Sequence, residues 1–247
     1  MQSDDKKNML KKVVAISLVT IVFLVSLILI LRYEVEGEKN MPFKLNKISL
    51  VSTVAAKHKE GSTEYWNLDL VQNNDIYINI KKNESNQENV FIKKVSLENI
   101  NVEKKPKKGE IKIYKASDNI QNIYNNNEEN VIENSVEYIG DIQSNLETLK
   151  IGNNGGIIGI RCANENLAEH SSNNTEIRID GTLLRESNIT KEDLEAEVSF
   201  SIVIELTSGI KYKGKAKIEL PCGDIIEDGI CKKEITELDN IVFKRVK

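Results

Sequence analysis

The chain of 247 residues carries 34 basic and 38 acidic side chains, and it contains three cysteines and three prolines. Residues 1–32 hold five of the basic and two of the acidic side chains, which leaves 29 basic and 36 acidic ones, a formal charge of −7, for the rest. A mildly acidic body of about 215 residues is long enough to bury a core, but it lacks the basic surface that attracts phosphate backbones. These properties exclude nucleic acid as an expected partner.

An uninterrupted apolar segment occupies residues 13–31, without a charge, a proline or a glycine. As a helix it would be roughly 28 Å long, close to the ~30 Å hydrocarbon core of a bilayer. Four lysines precede it, whereas Glu34, Glu36 and Glu38 follow it. The positive-inside rule therefore predicts a cytoplasmic tail over residues 1–12, a transmembrane signal anchor over residues 13–31 and an extracytoplasmic remainder, so we expect a single-pass protein of the cell membrane.

Two other interpretations of this segment are open. A cleaved secretory signal peptide usually has an apolar core of about 7–15 residues and a cleavage site between small residues, and the sequence shows neither. A buried core helix would need amphipathic neighbours and fewer consecutive apolar residues. The length and the flanks favour an uncleaved anchor, and the lack of an ionisable group inside the segment favours a passive one.

Residues 32–45 are charged and show little periodicity, so we assign them to a tether. From residue 46 to residue 247 apolar and polar positions alternate in short runs, which predicts a β-rich extracytoplasmic domain. The first run is Ile48–Val54. The second, residues 66–80, contains Asn73-Asn74-Asp75 and is predicted to be a hairpin that turns there.

Two further strands are predicted over residues 91–102 and 111–114. The alternation shifts between Leu97 and Ile100, which indicates a bulge or a break in the first of them. The polar, asparagine-rich stretch 117–137 is predicted to be a long loop, and it is a candidate boundary between two parts of the β-rich domain.

The C-terminal half gives the clearest pattern. Two strands flank an Asn-Asn-Gly-Gly turn at residues 153–156, and Thr190 with Asp193 predicts a capped single turn of helix. Residues 198–206 and 210–220 are predicted to form a hairpin whose second strand has one buried face and one solvated lysine face. About ten short strands with frequent turns predict a mainly β fold, an antiparallel β-sandwich that follows one N-terminal transmembrane helix.

The three cysteines suggest one disulfide. Cys222 and Cys231 frame the segment CGDIIEDGIC, which could close as a short loop in an oxidising compartment. Cys162 lies in the apolar run GGIIGIRC and is expected to be a small buried residue. The odd number of cysteines leaves open whether the candidate pair is bridged.

One cluster of lysines is a candidate contact for a polyanion. Lys104, Lys105, Lys107 and Lys108 surround Pro106 in the segment EKKPKKGE. Such a cluster could contact an anionic wall polymer or lipid head groups. The alternative is a solvated turn that joins two strands and is balanced by its own glutamates.

No catalytic constellation stands out. Nucleophilic catalysis needs a base beside the nucleophile, and the two histidines, His58 and His170, lie in polar surroundings that indicate exposed loops. Zinc would need four suitably spaced ligands, which are not found. Trp66 is interpreted as a core residue rather than a stacking platform for sugars. We therefore predict no catalytic residue, no metal and no cofactor, and a protein that is not an enzyme.

The overall plan resembles that of uncharacterised single-span membrane proteins of low-GC Gram-positive bacteria. The likeness rests on the stretches YEVEGEKNMPFKL at residues 33–45, NNGGIIGIR at residues 153–161 and IRIDGTLLR at residues 177–185, and it extends over the whole chain. It implies a place in the bacterial envelope and no particular activity.

Three functions follow as hypotheses. The first is a non-enzymatic envelope protein that binds a protein partner or organises an assembly, because an anchor, a tether and a β domain are present without a catalytic constellation. The second is a binder of cell-wall polymer or glycan through the lysine cluster or through Trp66. The third is a hydrolase that uses two carboxylates, since the sequence offers many and singles out none.

Overall fold

The structure, a computed structural model of the chain, describes residues 2–32, 41–59, 66–83, 89–116, 126–140, 151–173 and 176–246. Within these residues a long N-terminal helix, α1 (Gln2–Arg32), precedes a mainly β body. Two antiparallel sheets, three short α-helices and a 3-10 helix, Glu128–Asn130, make up that body, as the first part of the fold prediction expects.

The predicted membrane span lies inside α1. The window Lys11–Ile28 of this helix is long and apolar enough to cross a membrane. The described large apolar side chains of α1 are between 41% exposed, at Leu27, and 69% exposed, at Met9 and Val19. Since none of the described side chains of α1 is buried, the interpretation as a core helix is wrong.

The strands are, in chain order, β1 (Phe43–His58), β2 (Trp66–Lys82), β3 (Ile92–Lys104), β4 (Glu110–Lys115), β5 (Val136–Ile139), β6 (Ile151–Gly152), β7 (Gly155–Glu165), β8 (Glu169–Ser172), β9 (Ala196–Leu206), β10 (Lys211–Leu220), β11 (Ile230–Ile235) and β12 (Lys244–Val246). The first sheet has the order β11-β1-β2-β7-β4, with β6 paired to β7 and β8 paired to β2. The second sheet has the order β12-β10-β9-β3-β5. All pairs are antiparallel, and most neighbouring strands come from distant parts of the chain, as β11 beside β1 and β3 beside β9 show.

The main hydrophobic cluster draws residues from both sheets. Ile76 and Ile78 of β2, and Phe200 and Ile202 of β9, are fully buried in it. Alternate residues of β9 and of the second half of β2 face this cluster, as the period-two pattern predicts. Members of the cluster lie both before and after the candidate boundary at residues 117–137, so this core contains residues from both parts of the chain.

A second, smaller cluster closes one end of the first sheet. It contains side chains from β1, from the start of β2, from two loops and from α2 (Gly181–Glu186), α3 (Lys191–Leu194) and α4 (Ile225–Asp228). Leu70, Leu184 and Ile225 are fully buried there. Asp180 begins α2, because its carboxylate accepts the backbone N–H of Thr182 at 2.8 Å.

The first strand begins at Phe43, before residue 46, where we expect the domain to begin. Met41 and Phe43 are buried in the main cluster, so the last residues of the predicted tether belong to the β body. Residues 33–40 of the tether and residues 117–125 of the predicted long loop lie outside the described residues.

The predicted hairpin within residues 66–80 is wrong, because β2 runs through residues 73–75 without interruption. Asn74 is held inside the sheet: its Oδ1 accepts the hydroxyl of Ser52 at 2.8 Å, and its Nδ2 donates to the carbonyl of Cys162 at 3.1 Å. These partners on both neighbouring strands replace the local backbone contacts that give asparagine its preference for turns.

Several local predictions are confirmed. The predicted C-terminal hairpin is β9 and β10, joined at residues 207–209. Thr190 and Asp193 form a capping box at the start of α3. The pairing of β3 shifts at the predicted bulge, where Asn99 has a positive φ of 52°.

Candidate functional site

The first sheet carries a buried ion pair on the face that points away from the main cluster. Asp75 on β2 and Arg161 on β7 are register partners. The guanidinium binds the carboxylate twice, through Nε at 2.6 Å and Nη2 at 2.9 Å, and the two side chains are only 16% and 12% exposed. The pKa of Tyr77, which lies beside this ion pair, is raised to about 12, first by burial and second by the charge of Asp75. This fork geometry satisfies the carboxylate without a ligand.

A second buried carboxylate, Glu165, lies at the end of β7 with its side chain 8% exposed. Its Oε1 accepts from Lys57 Nζ at 2.5 Å and from the hydroxyl of Tyr114 at 3.0 Å, and Lys112 Nζ is 3.7 Å from its Oε2. The pKa of Tyr114 is raised, first by burial and second by its hydrogen bond to Glu165. Both oxygens of Glu165 have cationic or hydroxyl partners, so the group acts as a tie between strands.

The predicted lysine face of β10 is confirmed. Lys215 and Lys217 are 69% and 62% exposed and alternate with buried residues of the same strand. Each lies near a glutamate of the same sheet: Lys215 is 3.6 Å from Glu103, and Lys217 is 2.9 Å from Glu197. The face is therefore a network of lysine–glutamate pairs rather than a basic patch.

Glu205 lies near the end of β9, on the same face of the second sheet. Its side chain is 8% exposed and meets three lysines, with Nζ distances of 2.7 Å for Lys93, 3.7 Å for Lys211 and 3.9 Å for Lys94. The hydrogen bond from Lys93 is the main reason why the pKa of Glu205 is lowered. Charge balance on the second sheet thus depends on ion pairs between neighbouring strands.

The lysine turn, residues 104–108, packs against α3. Lys104 Nζ is 2.7 Å from Glu195, and Lys108 Nζ is 3.5 Å from Asp193. The backbone N–H groups of Lys107 and Lys108 donate to the carbonyl of Asp193 at 3.1 and 3.2 Å. Acidic residues from a distant part of the chain therefore neutralise two of the four lysines.

The other two lysines of the turn, Lys105 and Lys107, have exposed side chains. Gly109 closes the turn with a φ of +81°, and a Cβ there would lie 2.2 Å from Asn164 Oδ1. A glycine is required at this position, because a side chain would collide with β7. The turn thus holds its four lysines at the surface in a fixed conformation, with Lys104 and Lys108 paired to acids of residues 193–195.

The structure brings Cys222 and Cys231 together. Both are free thiols, and the pKa of Cys231 is raised to about 11, first by burial and second by the neighbouring Cys222. Their pairing as a disulfide stays a prediction. Cys162 is fully buried, as expected, and burial raises its pKa to about 12.

The two histidines lie on opposite sides of β2. His58 on β1 and His170 on β8 are both register partners of Leu68. His170 was expected in an exposed loop, but it lies in a strand with its side chain 15% exposed, 3.9 Å from Glu186. Trp66 begins β2, and its side chain lies outside the described residues. In the part of the chain that the structure describes, no three His, Cys, Asp or Glu residues are grouped to hold a metal.

The hydrolase hypothesis requires a carboxyl group with a raised pKa. Among the described residues, every carboxyl group with a resolved shift has a lowered pKa, because lysines, hydroxyls or backbone N–H groups stabilise the charged form. These groups are Glu103, Glu128, Asp180, Asp193, Glu195 and Glu205. They favour structural ion pairs and helix caps.

Sequence reasoning missed the networks around Asp75 and Glu165. A usable signal was present, because Arg161 interrupts the apolar run GGIIGIRCA, and a charge inside a buried strand requires a partner. The sequence does not indicate that Asp75 is the partner of Arg161, since the two residues are 86 positions apart.

Comparison with known protein families, with curated proteins and with solved structures finds no match for this chain.

Proposed function

We propose that this protein is a non-enzymatic envelope protein, anchored in the cell membrane by α1, whose extracytoplasmic β-sandwich binds a protein partner or organises an assembly. The observation that carries the proposal is the exposed apolar surface of α1 beside a body that has its own core. An apolar helix of this length, with none of its described side chains buried, is favourable in a bilayer and costly in water.

The orientation follows from charge. Four lysines precede the apolar segment within residues 6–12, whereas the tether that follows it is rich in glutamate. Lysines are retained on the cytoplasmic side, so the short N-terminus stays inside and the β body is exported.

A sandwich arrangement is supported by the main cluster, to which the inner faces of both sheets contribute. The outer faces support a role in binding. Their buried carboxylates are bound by lysine, arginine and tyrosine side chains, which leaves a rigid, charge-balanced scaffold. Loops and edges of such a scaffold are the usual places for partner contacts.

One observation favours a second candidate, the binding of an anionic wall polymer. Lys105 and Lys107 project into solvent from the lysine turn, although Asp193 and Glu195 lie close by. Two lysines beside two acids give a weak and salt-sensitive attraction for a polyanion.

The proposal is tested by crosslinking in intact cells, followed by purification of the tagged full chain. We expect one dominant partner in an amount close to that of the protein itself. A variant that lacks residues 46–247 keeps the anchor and serves as the matched control, and it should lose the partner. Absence of a partner specific to the full chain would contradict the proposal.

The polymer candidate is separated by cosedimentation of the full chain in detergent with purified cell wall. The variant Lys105→Gln/Lys107→Gln is compared with Lys232→Gln/Lys233→Gln, which removes the same charge from the exposed part of β11. Binding that weakens with salt and is lost only in the first variant would favour the polymer. Partner capture that is equal in both variants would favour the assembly role.

A further inference from the structure

The two candidate cysteines belong to different elements that meet at one edge of the first sheet. Cys222 follows β10 in the turn before α4, and Cys231 lies in β11, the strand at the edge next to β1. The whole of α4 lies between them in the chain. A bond between the two sulfurs would therefore enclose this helix.

Ser52 of β1 is the point where the two cysteines converge. Cys231 is its register partner on β11, and the backbone N–H of Cys222 donates to its hydroxyl at 3.0 Å. The Cys222 sulfur also lies 3.9 Å from the carbonyl of Leu50. Because both cysteines contact the same residue of β1, their backbones lie close together, as a disulfide requires.

The turn that carries Cys222 lies directly against the Cys231 thiol. A Cβ at Gly223, the residue after Cys222, would lie 2.3 Å from the Cys231 sulfur, so the glycine lets the turn close over this thiol.

The third cysteine is kept away by the sheet itself. Cys231, Ser52, Asn74 and Cys162 form one row of register partners across β11, β1, β2 and β7. Three strand spacings place Cys162 roughly 14 Å from Cys231. The fold therefore permits one pairing.

We propose that Cys222 and Cys231 close to a disulfide once the body is exported, and that this bond is a clasp that fastens α4 and the edge strand β11 to the sheet. The inference rests on the proposed extracytoplasmic location, because disulfides persist in oxidising compartments. The oxidant is a disulfide of another thiol compound. One cysteine thiolate attacks it and releases one thiol, and the second cysteine then displaces the other, so two thiols and one disulfide give one disulfide and two thiols.

The clasp has a structural consequence. Ile225 of α4 is fully buried in the second cluster, and Arg185 of α2 donates to the carbonyl of Ile226. Enclosing α4 in a ten-residue loop restricts the unfolded chain more than the folded one. We expect the oxidised protein to unfold at a temperature about 5–10 °C higher than the reduced protein.

The test uses the full chain in detergent micelles, reduced and then treated with oxidised glutathione. Peptide mapping should find Cys222 linked to Cys231, with the expected rise in unfolding temperature. The rise should be absent in Cys222→Ser and retained in Cys162→Ala. Glutathione caps on both cysteines, a link to Cys162, or thiols that stay reduced would overturn the clasp.

Trapping of thiols in growing cells separates the clasp from the proposed location. A clasp that closes in micelles and is found closed in cells supports both proposals. A clasp that closes in micelles while both thiols are reduced in cells contradicts the extracytoplasmic location and leaves the pairing itself supported.

Discussion

Single charged residues of this body act as ties between strands that are distant in sequence. Asp75 and Arg161 join β2 to β7, and Glu165 joins β7 to Lys57 of β1. Each tie places a charge where water is largely excluded. Removing the partner of such a charge is destabilising, because the charge is then buried without compensation. The stability of the body should therefore depend strongly on a few ion pairs and weakly on the many exposed ones.

The buried pair gives the first prediction. Arg161→Met should lower the free energy of unfolding by about 3 kcal/mol or more, because it leaves the carboxylate of Asp75 buried without its counter-ion. The double variant Asp75→Asn/Arg161→Met should recover part of the loss. Lys217→Met, which breaks an exposed pair, should have a much smaller effect. Denaturant unfolding of the full chain in detergent measures all three, and equal losses for the two single variants would contradict the account.

Glu205 gives a prediction on pH. The hydrogen bond from Lys93, opposed by burial and supported by the charges of Lys93, Lys211 and Lys94, holds the pKa of this carboxyl below its ordinary value of 4.5. A group with a lowered folded-state pKa stabilises the fold above the unfolded pKa, and this contribution is lost as the pH falls through the folded one. Glu205→Gln should therefore be less stable than the parent at pH 7, by a margin that shrinks below about pH 4.5.

Unfolding measured from pH 3 to pH 7 checks this prediction. The exposed Glu219 lies on the same outer face, and Glu219→Gln is the matched control, for which the difference from the parent should change little with pH. A Glu205→Gln difference that is constant over this range would contradict the role given to the ion pairs.

At the level of elements, a layer of polar side chains crosses the first sheet between its two hydrophobic clusters. Asn74 connects Ser52, Gln72 and the backbone of Cys162 with three hydrogen bonds of 2.8 to 3.1 Å. This layer keeps β2 extended through a segment whose composition favours a turn.

Asn74→Ala should cost about 3 kcal/mol in unfolding free energy, because it leaves buried donors and an acceptor without partners. Asn79→Ala, a half-exposed change in the same strand, should have a small effect. Hydrogen exchange offers a second readout: amides of β2 near residues 72–76 should exchange faster in the first variant only. An effect of equal size at Asn79 would show that the layer has no special role.

The sequence predicts elements well where the determining contacts are local. The C-terminal hairpin, the capped turn of α3 and the apolar α1 each depend on residues within a few positions of one another. The strand β2 could not be predicted, because Ser52 and Cys162, which hold Asn74, lie on other strands. The charge of the candidate site could not be predicted for the same reason. The lysine turn is visible in the sequence, but the acids that neutralise Lys104 and Lys108 come from residues 193–195.

At the scale of the whole molecule, one apolar helix and one charge-balanced β body have different solvent requirements. None of the described side chains of α1 is buried, whereas the body buries its own apolar residues in two main clusters. A bilayer around residues 13–31 would meet the first requirement and leave the body in water. The proposed anchor and its orientation place the body outside the cytoplasm, and the proposed clasp requires that location.

The most direct test of that account is the topology of the full chain in sealed cells. Tags are placed at the N-terminus and at the C-terminus, and a protease that cannot cross the membrane is added outside. We predict that the C-terminal tag is digested, that the N-terminal tag is protected until the membrane is opened, and that both tags belong to one membrane-bound chain. A protected C-terminal tag, or a released body that has lost the N-terminal tag, would contradict the account.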